Sequence, residues 1–205
     1  AKHKIEQKIS IESIGNDIAE AVNFLDLGDD NFIALGSSMG ATAILDAMAD
    51  NKLNPCLAVL IGPNIDFNIP RFMLIILAIL PIPFYKALGP FAKWYMKRKY
   101  IDMDSDSKQY HKYSYVLDNI HLGRTRRSAL SFKKYSFEKK IGNIKKKILV
   151  FSGEKDKLHS YDKIVDMVNR IKKAKLVNLK TNDRTHSAEI VYKMRDYLNK
   201  NNLFK

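Results

Sequence analysis

The stretch that most constrains this chain is Phe32-Ile33-Ala34-Leu35-Gly36-Ser37-Ser38-Met39-Gly40. A short apolar run ends in G-x-S-x-G, and an alanine-rich helical pattern continues through Ala41, Ala43, Ile44, Leu45, Ala47 and Met48. Strand, sharp turn and helix is the setting in which this motif makes a nucleophile elbow. The turn forces Ser38 into a strained backbone, and the flanking glycines are expected to let chain and substrate approach closely. Its hydroxyl is then expected at the carboxyl end of a parallel sheet, where open α/β folds hold their ligands.

The rest of the pattern supports a sheet of that kind. Residues 10–27 read as a helix, with Ser10 as cap and Ile11, Ile14, Ile18, Ala21, Val22 and Leu25 at helical spacing. Phe32–Leu35 is a strand, residues 38–50 a helix, and Cys56–Ile61 a buried strand ending at Gly62-Pro63. Alternation resumes with a strand at 148–152, a helix at 161–173, a strand at 176–179, a loop at 181–185 and a closing helix at 187–199. The expected fold class is α/β, a mostly parallel sheet flanked by helices. Residues 1–63 are the first part of the core, 64–137 a helical lid insertion, and 138–205 the second part of the core.

The insertion has its own character. Phe72 to Leu80 is apolar throughout, and Pro81, Pro83 and Gly89-Pro90 interrupt the chain after it. The run is too short to span a bilayer. It reads as a lid packed on the core, or as a greasier lid that lines an acyl pocket or dips into a membrane surface. Lys93, Lys97, Arg98 and Lys99 beside aromatic residues suit anionic headgroups. The net charge of +13 is uneven: residues 64–146 carry 17 basic and 6 acidic side chains, whereas residues 1–63 carry 4 and 9. Compositional drift in a chain rich in Lys, Asn and Ile would also give that imbalance. Asp102, Asp104 and Asp106 lack the glycine and glutamate of a calcium loop and read as solvated acids. The lone Cys56 reads as a small buried hydrophobe, so there is no disulfide framework, and no His/Cys cluster suggests a metal.

A serine needs a base, and the base needs a third group to hold its tautomer. His3 precedes every strand, and His111 and His121 fall in the insertion. His186, between the last strand and last helix, is the favoured base. His159 is the rival, but it lies three residues beyond Asp156 on one loop, where the two would compete for one corner. Asp156, after the 148–152 strand, is the favoured carboxylate over Asp66 and Asp183. The order Ser38, Asp156, His186 is one that elbow chemistry uses.

On these residues the chain resembles the α/β-hydrolase superfamily across residues 10–63 and 138–200. The matching pieces are Gly36-Ser37-Ser38-Met39-Gly40, the segment Ile148 to Asp156, and Thr185-His186-Ser187. The resemblance implies Ser38 as nucleophile, Asp156 as acid, His186 as base and a variable lid that shapes substrate choice. Lys147 and Thr185 stand where that superfamily usually has proline and glycine. A larger departure lies upstream. Only 37 residues precede Ser38, and one helix is read in them, with no strands and no His-Gly-type turn. The Met39 N–H remains as one oxyanion donor, and losing a second costs about 3–4 kcal/mol. The chain opens on a polar run from Ala1 to Lys8. The expectation is therefore an N-terminally truncated fold, a fragment or part of a longer protein, weak on its own.

The resulting functional expectation is a serine hydrolase cleaving a lipophilic carboxylic ester or thioester through an acyl-enzyme, such as a monoacylglycerol or lysophospholipid. It needs no cofactor, is expected in the cytoplasm, and contacts anionic membrane peripherally through the lid. No stacking platform supports a nucleic-acid partner. The alternative is an inactive remnant of the fold that acts as a binding or membrane-surface protein.

Overall fold

The fold rests on two adjacent strands with no face in water. In the computed structural model β1 (Ile33–Ser37), β2 (Leu57–Ile61), β3 (Lys147–Ser152) and β4 (Ala174–Asn178) form one sheet in the order β1-β2-β3-β4, every pair parallel. The structure describes residues 9–203 except 68, 82, 83, 102, 104–106 and 120. Asp102, Asp104, Asp106 and His3 lie outside the described residues. All five residues of β2 are buried. Side chains alternate between the two faces of a strand. Ala58, Leu60, Ile148 and Val150 thus enter one core, and Leu57, Val59, Ile61, Leu149 and Phe151 the other.

The first core is closed by α2 (Met39–Ala49), the 3-10 turn Glu138–Asn143 and α8 (Tyr161–Arg170); the helices between are introduced below. Every residue of α2 from Ala41 to Ala49 is buried, because α1 (Ile11–Phe24) covers its far side. That approach requires a glycine: a Cβ on Gly15 would lie 3.0 Å from the Ala43 carbonyl oxygen and 3.2 Å from the Ala47 Cβ. Ser10 caps α1 by accepting from the Ser13 N–H, and Ser13 Oγ accepts from the Ser10 N–H in return. The second core is closed by α10 (Glu189–Lys200), through Ile190 and Leu198. It leaves Leu35 of edge strand β1 55% exposed.

Between β2 and β3 the chain makes α3 (Arg71–Ile79), α4 (Phe84–Ala87), α5 (Gly89–Lys99), α6 (Ser107–Asn119) and α7 (Leu122–Phe132). This helical insert returns to the core through Phe137, whose N–H bonds the Ile65 carbonyl oxygen at 2.8 Å. One difference from the sequence reading lies near the C-terminus. Residues 182–185 form a helical turn, α9 (Asn182–Thr185), not an irregular loop. Thr181 makes the turn by accepting from the Arg184 N–H.

An ionic cluster ties the end of the insert to the elbow helix. Asp46 on α2 is 2% exposed. It accepts from Lys140 Nζ at 3.0 Å and Tyr135 Oη at 3.2 Å, and Lys140 also reaches Asp50. Burial and the adjoining Asp46 carboxylate push the Tyr135 phenol well above its ordinary range. Lys140 loses some of its charge preference to burial, but the two carboxylates outweigh that and raise its pKa.

Removing Lys140 would leave the Asp46 carboxylate buried without its cation. Lys140→Met is expected to destabilise the protein by about 2–3 kcal/mol, less than a fully buried pair because the lysine is one-third exposed. Urea unfolding at pH 7 measures it, and Lys140→Met combined with Asp46→Leu should recover most of the loss.

Candidate active site

Ser38 occupies a backbone conformation that costs energy. Its φ is +49° and ψ −115°, between the end of β1 and the first residue of α2. A non-glycine residue so placed stores about 1–3 kcal/mol of strain, and surrounding contacts must hold it there. They do. The Ser38 N–H donates to the Ile61 carbonyl oxygen at 2.7 Å, and the Ser38 carbonyl accepts from both the N–H and Oγ1 of Thr42. Gly36 allows the close approach of strand and helix: an added Cβ would lie 2.7 Å from Ile44 Cδ1 and 2.8 Å from the Ala41 nitrogen. Gly40 differs, since a Cβ there would meet nothing within 4 Å. Only the first glycine of the motif answers to close packing.

The exit of β3 supplies the next groups. After Gly153 the chain turns at Asp156, whose Oδ1 accepts from the Leu158 N–H at 2.8 Å and more weakly from the His159 N–H. This side-chain-to-backbone turn folds the loop back on itself and frees Oδ2. His159 Nδ1 meets that oxygen at 2.8 Å, and His159 Nε2 lies 3.1 Å from Ser38 Oγ. A carboxylate only accepts. Nδ1 therefore carries the proton, and Nε2 faces the serine hydroxyl as an acceptor. His159 is 6% exposed. Its ring lies over Gly62, where a Cβ would come 3.0 Å from Nδ1.

The structure thus brings Ser38 and Asp156 together through His159. His186, the base favoured from the sequence, lies on the other serine of the motif. Its Nε2 is 3.0 Å from Ser37 Oγ, and its Nδ1 is 3.0 Å from the Asn182 carbonyl oxygen and 3.1 Å from Thr185 Oγ1. The reason is local. The α9 turn sets the His186 ring against its own backbone, and the Asp156 turn has filled the position beside Ser38. Asp66 and Asp183, weighed as carboxylates, stand elsewhere: Asp66 pairs with Lys163, and the Asp183 carbonyl accepts the His186 N–H. Met39 opens α2, so its N–H is a first-turn donor without an intrahelical acceptor.

Sequence reasoning missed Asn182. Buried at the start of α9, it donates from Nδ2 to Asp156 Oδ2 at 2.6 Å. Burial drives the Asp156 carboxyl pKa up. The hydrogen bond and charge of His159, the Asn182 amide and the Leu158 N–H together outweigh burial and hold it below the usual carboxylate range. The signal for His159 was the D-x-x-H spacing of an acid that caps its own loop. Asn182 carried no comparable mark.

Beside Asp156 and His159 opens a cavity of about 910 Å³. Ile65, Phe67, Ile69 and Leu158 give it apolar wall, and Tyr95 and Lys99 of α5 close it from the insert side.

The serine aminopeptidase (S33) hydrolase family model matches residues 9–185. No curated protein matches the chain significantly by sequence. Among solved structures, a hydrolase from Oleispira antarctica superposes with a TM-score of 0.73 at 15% identity, covering 98% of this chain and 76% of its own. A thermophilic esterase from Thermogutta terrifontis gives 0.73 at 13%, covering 97% and 75%. An enol-lactonase from Burkholderia xenovorans gives 0.68 at 14%, covering 94% and 73%. With the family model spanning most of its length, the chain belongs to the serine aminopeptidase (S33) hydrolases and is an enzyme of the α/β-hydrolase fold.

Proposed function

We propose that this hydrolase cleaves a carboxylic ester or thioester through an acyl-enzyme on Ser38, with His159 as base and Asp156 as the group that orients it. The observation that carries the reading is the unbroken path from Asp156 Oδ2 through His159 Nδ1 and Nε2 to Ser38 Oγ, with steps of 2.8 and 3.1 Å. Ser38 Oγ bonds to the acyl carbon while its proton passes to His159 Nε2. The imidazolium formed is steadied by Asp156. It returns the proton to the leaving alkoxide or thiolate as the C–O or C–S bond breaks. Water then attacks the acyl carbon, giving its proton to His159, and Ser38 Oγ recovers that proton on release. The Met39 N–H is the donor for the developing oxyanion. Residues 64–137 act as the lid, and a lipophilic acyl group would lie on the apolar part of the cavity wall, at Ile65, Phe67, Ile69 and Leu158, while Asp66, Glu154, Lys157 and Lys163 make other parts of the lining charged.

A second assignment makes His186 the base, supported by its Nε2 lying 3.0 Å from the serine adjacent to Ser38. Single variants separate the two. His159→Gln is expected to lower kcat on a p-nitrophenyl ester by roughly 10⁴-fold or more, and His186→Gln by less than about tenfold. The reverse pattern would transfer the role to His186. A fluorophosphonate probe should label Ser38 in the wild type and not in Ser38→Ala; absence of labelling in both would remove the serine-hydrolase reading and leave a binding role.

Gly62 offers a finer check. Its φ of +52° and the His159 ring above it leave no room for a side chain. Gly62→Ala is expected to cut kcat about 100-fold through a displaced imidazole, with KM little changed. An unchanged kcat would show that the ring is positioned by Asp156 alone.

The depressed Asp156 pKa has a pH signature. A carboxyl whose folded pKa lies below its unfolded value contributes stability that is present above the unfolded value. That contribution is lost as pH falls through the folded pKa. The stability gap between wild type and Asp156→Asn, read from urea melts, should therefore be largest near pH 7 and shrink in acid below about pH 4.

A further inference from the structure

We infer that the helical insert docks on an anionic lipid surface through the outer face of α3 and α5. Helix α3 is apolar from Phe72 to Ile79, yet among its described side chains only Leu74 is buried. A helix apolar on all sides belongs inside something. Here Ile75 is 57% and Ile79 75% exposed, and Phe72, at the same helical spacing, is exposed with them. The surface continues onto α5. Phe72 meets the Tyr95 ring edge-on at 5.6 Å, and Phe91 packs on both Tyr95 and Trp94. Phe91 and Trp94 turn outward, the tryptophan 54% exposed. Arg126 of α7 donates to the Ala78 carbonyl, and Tyr85 to the Leu77 carbonyl at 2.9 Å. The apolar face is therefore held in place by the rest of the insert.

The charge around this face selects the occupant. Residues 67–101 carry six basic side chains and no acidic one. Lys93 pairs with Asp118, and Lys97 lies over the Tyr110 ring. Among the described residues Arg71, Lys97 and Arg98 form no ion pair with a carboxylate. A second copy of this chain, facing the first across a two-fold axis, would bring these like charges together. An anionic bilayer supplies the opposite sign, and its hydrocarbon receives Ile75, Ile79, Phe91 and Trp94. The geometry is that of a helix lying on a membrane. Among the described residues no helix is long and apolar enough to cross one.

Docking in this pose also bears on access. On α5 Phe91 and Trp94 are exposed, and the adjoining Tyr95 and Lys99 line the cavity beside His159. Phe91, Tyr95 and Lys99 follow one another at i, i+4 and i+8 along one side of α5, so a lipophilic molecule leaving the bilayer at Phe91 would meet the cavity next to it. The docking itself does not depend on the chemistry assigned to Ser38.

Trp94 is the only tryptophan in the chain, so its fluorescence reports on this surface alone. The full chain is mixed with phosphatidylcholine vesicles, with and without about 30 mol% phosphatidylglycerol. Co-sedimentation with the anionic vesicles and a blue shift of Trp94 emission are expected. Ile75→Glu/Ile79→Glu should lower partitioning by more than about tenfold. Lys97→Gln/Arg98→Gln should lower it about fivefold per charge at low salt, whereas Lys172→Gln/Lys173→Gln, away from the face, should change it far less. No sedimentation with unshifted Trp94 overturns the proposal. So does an equal loss in the Lys172/Lys173 control, which would mean attraction by net charge. Concentration-dependent dimerisation that shifts Trp94 without vesicles would overturn it in favour of a second copy. Probe labelling of Ser38 is read separately, so failure of docking and failure of the hydrolase reading are distinguishable.

Discussion

Everything at the site depends on how closely β1 and α2 meet. Gly36 lacks the Cβ that would strike Ile44 and the Ala41 backbone. The chain can therefore pass from strand to helix in a single residue. That residue is Ser38, and it takes the positive φ that the reversal requires. The strain is offset by burial of α2, which is covered by the sheet on one side and α1 on the other. The serine is fixed by packing that lies behind it, and its hydroxyl stays on the open side.

The second constraint is the crowding of donors on Asp156. Its carboxylate accepts from the Leu158 and His159 backbone, the His159 ring and the Asn182 amide. Two of these shape the loop, one holds the imidazole, and one links the loop to α9. A single buried anion thus sets both the backbone path and the tautomer of the His159 ring. Asp46 is equally buried but differently satisfied, by a lysine and a phenol that join the insert to α2. The two acids divide positioning from anchoring.

Much of the fold was legible in the sequence, since apolar runs and their spacing mark strands and helices directly. The four strands and their flanking helices lie within a few residues of where the pattern places them. Ser38 was legible because a glycine-flanked serine between strand and helix leaves the backbone few options. The contact of His159 with Ser38 was not. Asp156 and His159 are three residues apart, which suggested competition for one corner. The decisive fact was that Asp156 uses one oxygen to bend the loop and the other to hold the ring, a division that exists only in three dimensions. Asn182 and Gly62 were invisible for a related reason. Each acts through a distance to a residue far away in sequence, and neither type is rare enough to stand out.

The connection between β2 and β3 carries a consequence for how the molecule assembles. Eighty-five residues separate Ile61 from Lys147, while α1, β1, α2 and β2 succeed one another through short turns. The N-terminal unit can therefore form from local contacts, and the β2–β3 pairing must wait for a long loop to close. Closure entropy rises only slowly with length, about 0.6 kcal/mol for each doubling. The sheet is thus nearly indifferent to how long the insert is. Helices can be added or removed there at little thermodynamic cost, provided that Phe137 and Lys140 still bring the chain back to the core.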